Sequence, residues 1–373
     1  MNRIKAFIKK ETVFTIAILL AAVSAIFVPP SAKYLENIDF RVLALLFCLM
    51  FIVAGIREQW IFRRLAEKLV RHVSSSRPLE LILVMLPFFL AMLITNDVAL
   101  ITFVPFALAL LNGAGLKNRI IRTIVLQTIA ANLGSMLTPV GNPQNLYLYS
   151  VSGMGMGEFV LLCAPYALVA AILLFIIVMV SKKEPINISF EEPSAPINKR
   201  KLLGLILLFV VCLLTVVKIV PWQCSFLIVL LVGLICYRNL FKDVDYYLLG
   251  TFIGFFIFIG NMQEVPVVTR VIDNLLTGRE MLVSVLISQV ISNVPAAMLL
   301  SGFSDKYAEL IIGVNIGGLG TLIASLASLI SYKFYAVTPN SQKGKYVLQF
   351  TLWNLLFIVA MLGTAFVSRG MSF

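Results

Sequence analysis

Two stretches of this 373-residue chain repeat each other, and each interrupts strongly apolar sequence. Thr95-Asn96-Asp97, followed by Ala131 to Asn145 (ANLGSMLTPVGNPQN), is answered by Ser292-Asn293-Val294, followed by Val314 to Ser325 (VNIGGLGTLIAS). With Asn132 set against Asn315, Gly134 meets Gly317 and Thr138 meets Thr321. A break in a lipid-embedded helix leaves amides and carbonyls without partners, so Gly, Pro and Asn clusters at that depth must line a protein-enclosed cavity. Two such breaks in corresponding halves are the pattern of a secondary transporter whose binding site lies where the repeats meet.

The depth is implied by composition: 60% of residues are hydrophobic and only 13% charged, against about a quarter charged in soluble domains. The net charge of +12 does not point to nucleic acid, because the basic residues lie in short runs between apolar segments rather than in a solvated stripe. The five cysteines have neither ligand spacing nor a paired framework, and are read as buried small apolar residues. The single histidine, His72, lies in a basic loop, which excludes a histidine-built metal site. Gly317 to Gly320 is glycine-rich but follows a membrane helix rather than a strand, so it is no nucleotide cradle. An enzyme is not expected, nor any cofactor besides Na+ or H+ as coupling ion.

In chain order, the basic N-terminus (Arg3, Lys5, Lys9, Lys10) precedes an apolar run to Val28, read as a retained first span with a cytoplasmic N-terminus rather than a signal peptide. The first repeat covers 1–182: two spans, an amphipathic interfacial helix at 57–77, a cytoplasmic hairpin at 79–111 and a broken helix at 123–150. Leu79 to Leu93 is too short for an untilted crossing of about 20 residues, which favours a re-entrant hairpin turning at Thr95-Asn96-Asp97. A cytoplasmic linker at 183–201 and a connecting span at 202–225 lead to the second repeat, 226–373. It holds an interfacial helix at 264–280, an external hairpin at 281–302 and a broken helix at 310–332. Nine crossings and two hairpins put the C-terminus outside and most of the 30 Lys and Arg residues inside, following the positive-inside bias. An odd number of crossings between the hairpins inverts the repeats. The expected location is a prokaryotic inner or plasma membrane.

Interrupted helices aim partial charges of both signs at one point, and Asn offers both a donor and an acceptor. The candidate substrate and ion site is therefore Thr95, Asn96, Asp97, Asn132, Gly134, Ser135, Thr138, Gly141, Asn142, Pro143, Gln144 and Asn145 from the first half. Ser292, Asn293, Asn315, Gly317, Gly318 and Thr321 come from the second, with Gln127 and Gln289 as weaker candidates. Asn96, Asp97 and Asn293 are the candidates for Na+ coordination. Asp97 is read as the only acid well inside an apolar stretch and without a basic partner at its depth, so it binds a cation or carries a proton. The richer polar knot, Asn142, Gln144 and Asn145, suggests that the first half recognises substrate while the second supplies mainly backbone.

Thr95 to Leu108 (TNDVALITFVPFAL) and Asn132 to Leu146 (NLGSMLTPVGNPQNL) resemble the signatures of the ion transporter superfamily. They are most similar to its arsenical-pump and citrate-transporter-like anion permease branch, related to the divalent anion/sodium symporters. The resemblance implies an all-α polytopic fold of two inverted repeats, each with a re-entrant helical hairpin and a discontinuous helix, arranged as an elevator-type transport domain against a dimerising scaffold. It also implies Ser-Asn-Thr hairpin tips that bind sodium and carboxylate. Asn96 and Ser292-Asn293 match; Thr95, Asp97 and Val294 depart, and the Asn-Asp pair looks like the arsenite-permease branch. Expected partners are a small anionic or weak-acid substrate, membrane lipid and a second copy in a homodimer, with no nucleic acid. The functions left open are uptake of a dicarboxylate or inorganic anion, efflux of a metalloid acid (arsenite or silicic acid), Na+/H+ antiport and, outside the carriers, a channel or a structural or receptor role.

Overall fold

The computed structural model describes residue 7 and residues 11–186 and 197–369. The N-terminal lysines and Arg3, and Pro193 and Pro196 of the linker, lie outside the described residues. Among those described, all regular structure is helical apart from one isolated bridge between Ser75 and Pro185.

The first half runs α1 (Thr12–Phe27), α2 (Lys33–Glu36), α3 (Phe40–Glu58), α4 (Ile61–Val70), α5 (Ser76–Ile94), α6 (Asn96–Gly113), α7 (Ile120–Ser135), α8 (Pro143–Ser152) and α9 (Met156–Met179). The second runs α10 (Lys199–Val216), α11 (Trp222–Cys236), α12 (Tyr246–Gln263), α13 (Pro266–Leu276), α14 (Glu280–Ile291), α15 (Asn293–Ser301), α16 (Tyr307–Gly317), α17 (Leu326–Ala336) and α18 (Lys343–Arg369). Six of these are apolar and long enough to cross a membrane: α3, α5, α6, α9, α12 and α18. The chain is an all-α polytopic membrane protein.

Local chemistry sets many of the boundaries. Asp39, Asn198 and Asp245 each accept a backbone N–H three residues ahead, at 2.9–3.0 Å, and so cap α3, α10 and α12. The helix expected at 57–77 is shorter, because α3 continues to Glu58 and Trp60 then turns left-handed (φ 58°), leaving α4 at 61–70. Phe62, Ala66 and Val70, spaced by four, form its buried stripe. Likewise 264–280 becomes α13 at 266–276. The hairpin helix read as too short to span is extended by Ser76, Arg77 and Pro78. Ser76 N donates to Glu184 O at 2.8 Å and its hydroxyl accepts from Glu184 N at 2.9 Å, so a contact distant in sequence starts that helix.

Two packed groups result. In one, α1 lies against α12 and α3 against α10 and α11; Asn261 ties α12 to Ser24 and Tyr34 through Nδ2 at 2.8 and 2.9 Å. The other gathers α5–α9 with α14–α18. It also contains a buried acid that the sequence analysis does not single out. Glu80 is fully buried and meets Arg119 at 3.1 Å, Arg122 at 3.7 Å and the Thr123 hydroxyl at 3.2 Å; Arg119 also meets Glu184 at 2.9 Å. The cluster clamps the base of the first hairpin to the start of α7 and the end of α9. Of the cysteines read as buried, Cys48, Cys163 and Cys212 are, whereas Cys224 and Cys236 are exposed on α11. Lipid satisfies a thiol as well as a protein core does, so hydropathy alone does not separate the two.

Candidate functional site

Each hairpin turns on a single residue between two helices. Thr95 (φ 69°, ψ 148°) and Ser292 (φ 74°, ψ 156°) adopt nearly the same conformation, in a region that glycine alone occupies without strain. Both broken helices are interrupted after comparable first segments: α7 ends at Ser135 and α8 starts at Pro143, while α16 ends at Gly317 and α17 starts at Leu326.

Hairpin and break are then fitted together by the same contacts twice. A Cβ on Gly134 would lie 2.0 Å from the Phe88 carbonyl oxygen; one on Gly317 would lie 2.6 Å from Ser288 and 3.1 Å from Val285 Cα. Phe88 and Val285 each precede their tip by seven residues. The Thr138 hydroxyl donates to Met92 O at 2.5 Å, and the Thr321 hydroxyl to Gln289 O at 3.1 Å. Each of those carbonyls lies three residues before its tip. Gln289 also binds Gly317 O at 2.8 Å, Leu319 O at 3.0 Å and Thr321 N at 2.9 Å, whereas Gln127 binds Leu83 O at 2.7 Å. Both glutamines hold the frame.

Where the halves meet, neutral amides cross-link them. Asn132 Oδ1 accepts from Asn96 Nδ2 at 2.9 Å and from the Ser325 hydroxyl at 3.3 Å, while its Nδ2 donates to Gly318 O at 3.3 Å. Reciprocally, Asn315 Oδ1 accepts from Asn142 Nδ2 at 3.3 Å, and Asn315 Nδ2 donates to Asn145 Oδ1 at 2.6 Å. Asn142 also reaches the Ser135 hydroxyl at 3.0 Å and caps α8 through Asn145 N. Asn293 Nδ2 lies beside Gly318, 2.8 Å from where a Cβ would be, and its backbone N–H donates to Ala324 O at 2.9 Å, which the Ser292 hydroxyl shares at 3.3 Å. Asn96, Asn132, Gly318 and Asn293 thus form one continuous contact path.

Ser325, which precedes α17 as Asn142 precedes α8, was missing from the sequence-derived set. It follows Asn315 by the same ten residues that separate Asn142 from Asn132, and that spacing was the available signal. Gly141 and Pro143 shape the first break, and Gln144 is buried beside them. Thr321 is exposed and stands apart from the amide cross.

A cavity of about 260 Å³ opens beside the first tip. Thr95, Asp97, Asn142 and Pro143 from one helix group line it, facing Met50 and Arg57 of α3 and Asp245 ahead of α12 from the other. Arg57, at the end of α3, lines the same space as Asp97. Ser292, Asn293, Asn315 and Thr321 do not. Among the described residues no group of three or more His, Cys, Asp or Glu side chains is placed to hold a metal ion.

Neutral amides thus gather at the crossing of the two interrupted helices. Residues 6–309 match the model of a family described as "Citrate transporter". The chain belongs to that family. An uncharacterized transporter of Methanocaldococcus jannaschii is 30% identical over 338 residues, covering 88% of this chain and 90% of that one. The inner membrane protein YbiR of Escherichia coli is 30% identical over 328 residues, covering 86% and 87%. A silicon efflux transporter of Oryza sativa is 28% identical over 145 residues, covering 34% and 29%. This citrate-transporter family member is a membrane transporter of some small solute.

Proposed function

We propose that the chain is an ion-coupled secondary transporter of a small anion or oxyacid, working by elevator-like alternating access between two inverted repeats. One observation carries the reading: the 260 Å³ cavity has one wall, Thr95, Asp97 and Asn142, on the group of hairpins and broken helices, and the other on α3 and Asp245. A solute held there lies on the seam between two bodies, so sliding one along the other changes the side to which it is open. In this reading α5–α9 and α14–α18 move, while α1, α3 and α10–α12 form the scaffold and the homodimer contact. Arg57 lines the cavity at the end of α3, and in this reading the charge bias puts that end of α3 on the cytoplasmic side.

Asp97 carries the proton or, with the amide oxygens of Asn96 and Asn293, a sodium ion. Amide N–H groups and the N-terminal end of α8 face the solute. A second reading, efflux of a weak metalloid acid, is favoured by the silicon efflux relative and by the neutral donors, which suit an undissociated acid.

Proteoliposome flux of citrate, silicic acid and arsenite under imposed Na+ or H+ gradients separates these. Flux should follow one gradient, and Asp97→Asn should abolish proton coupling. Full proton-driven flux in that variant refutes the role given to Asp97, and no gradient-driven flux of any of these solutes counts against the carrier reading.

A further inference from the structure

A second cavity, larger than the one beside the first tip, has no part in the amide cross. It encloses about 490 Å³ in a wedge between the end of α3, α4 and α6. Phe62, Ile101 and Phe106 give it an apolar floor, and Arg57, Trp60 and Arg63 stand at its mouth. Trp60 is 54% exposed at the α3–α4 joint, and the Arg63 guanidinium lies 5.4 Å over its ring. Arg57 is half-buried and, among the described residues, makes no ion pair. Of the acids at the rim, Glu58 is already paired with Lys201 at 2.7 Å, and Asp243 sits where this cavity adjoins the smaller one.

The occupant must satisfy both surfaces. A small inorganic anion has no use for the apolar floor, and an apolar solute has none for the guanidinium groups. An amphiphile with an anionic head uses both. The exposed Leu65 and Leu69 on α4 place this helix against acyl chains, as an interfacial amphipathic helix requires. Basic pockets between membrane helices, at the level of the head groups, recognise anionic lipid.

We propose that this groove binds one anionic phospholipid from the leaflet on the α4 side, its phosphate at Arg57 and Arg63 and an acyl chain laid along Ile101 and Phe106. Because α3 and α6 belong to different helix groups, the lipid sits on their seam and holds the groove open. That last consequence rests on the proposed sliding motion; the binding does not.

Native mass spectrometry of the full chain in detergent, titrated with phosphatidylglycerol or phosphatidylcholine of matched chains, tests it. One phosphatidylglycerol should be retained per chain in preference to phosphatidylcholine. Combined Arg57→Gln and Arg63→Gln should weaken it about 30-fold, from about 1 kcal/mol per arginine near the surface and tenfold per 1.36 kcal/mol. Ala109→Trp, on the groove wall, should weaken it while keeping every charge, and Lys345→Gln, on α18, should leave it unchanged. Equal retention of the two lipids by the unaltered protein overturns the proposal. So does undiminished phosphatidylglycerol binding in both groove variants, or displacement by excess inorganic phosphate, which marks a small-anion site.

Discussion

Gly134→Ala tests whether hairpin and broken helix are held at a separation that their hydrogen bonds require. The added methyl would lie 2.0 Å from the Phe88 carbonyl oxygen, where Cβ atoms do not come within 3.0 Å. The obstacle is backbone, so no rotamer relieves it, and α5 and α7 must part by about 1 Å at a cost of about 1–3 kcal/mol. Asn96 Nδ2 sits 2.9 Å from Asn132 Oδ1, and the same opening takes that pair to about 3.9 Å, beyond a hydrogen bond. Its loss adds about 1 kcal/mol, for about 2–4 kcal/mol in all. Denaturant unfolding of the purified protein in detergent measures this against Gly113→Ala, whose new methyl meets nothing within 4 Å. Gly317→Ala should fall between the two, since its obstruction is mostly the Ser288 side chain. Combined with Asn96→Ala, Gly134→Ala should cost less than the sum of the two, because both remove one hydrogen bond. The reasoning fails if Gly134→Ala is as stable as the Gly113 control, or if the pair is strictly additive.

Other substitutions probe the remaining contacts. Asn315→Ala leaves the buried Asn145 carbonyl without its 2.6 Å donor and should destabilise by about 1–3 kcal/mol; unchanged unfolding would remove the amide cross as a structural unit. Glu80→Ala should cost about 1–3 kcal/mol, because Arg119 loses its buried carboxylate and keeps only Glu184 as an ion-pair partner, whereas Glu80→Leu with Arg119→Met should recover much of it; equal loss in both would show that charge is not the issue. Thr95→Gly relieves a positive φ and should raise stability by about 1 kcal/mol while weakening solute binding measured by ligand-induced thermal shift. Unaltered binding would leave the Thr95 hydroxyl without a role.

Residues matched between the two stretches of sequence make matching local contacts. Gly134 and Gly317 admit a neighbouring helix, and Thr138 and Thr321 tie the break to the carbonyl three residues before the tip. Ser325 stood in the repeat but outside the candidate set, because the equivalent of Asn142 need supply only a donor, which a hydroxyl does as well as an amide. Glu80 was hidden for another reason. Set between Leu79 and Leu81 near a helix start, it reads as a first-turn acid, and its partners Arg119, Arg122 and Glu184 are far along the chain. Arg57 reads as a charged position of the interfacial helix expected at 57–77, and only the fold puts it on the cavity that Asp97 also lines.

In the sliding motion proposed above, the connectors bound how far the hairpins travel. Residues 71–75 join α4 to α5 and reach about 17 Å when fully drawn out, and the pairing of Ser75 with Pro185 shortens even that. Residues 277–279 join α13 to α14 and reach about 10 Å. A longer stroke must carry α13 with it, and α13 buries only Leu276. It is thus the lighter of the two couplings, a lever that can swing while α4, seated through Phe62, Ala66 and Val70, stays as the fulcrum.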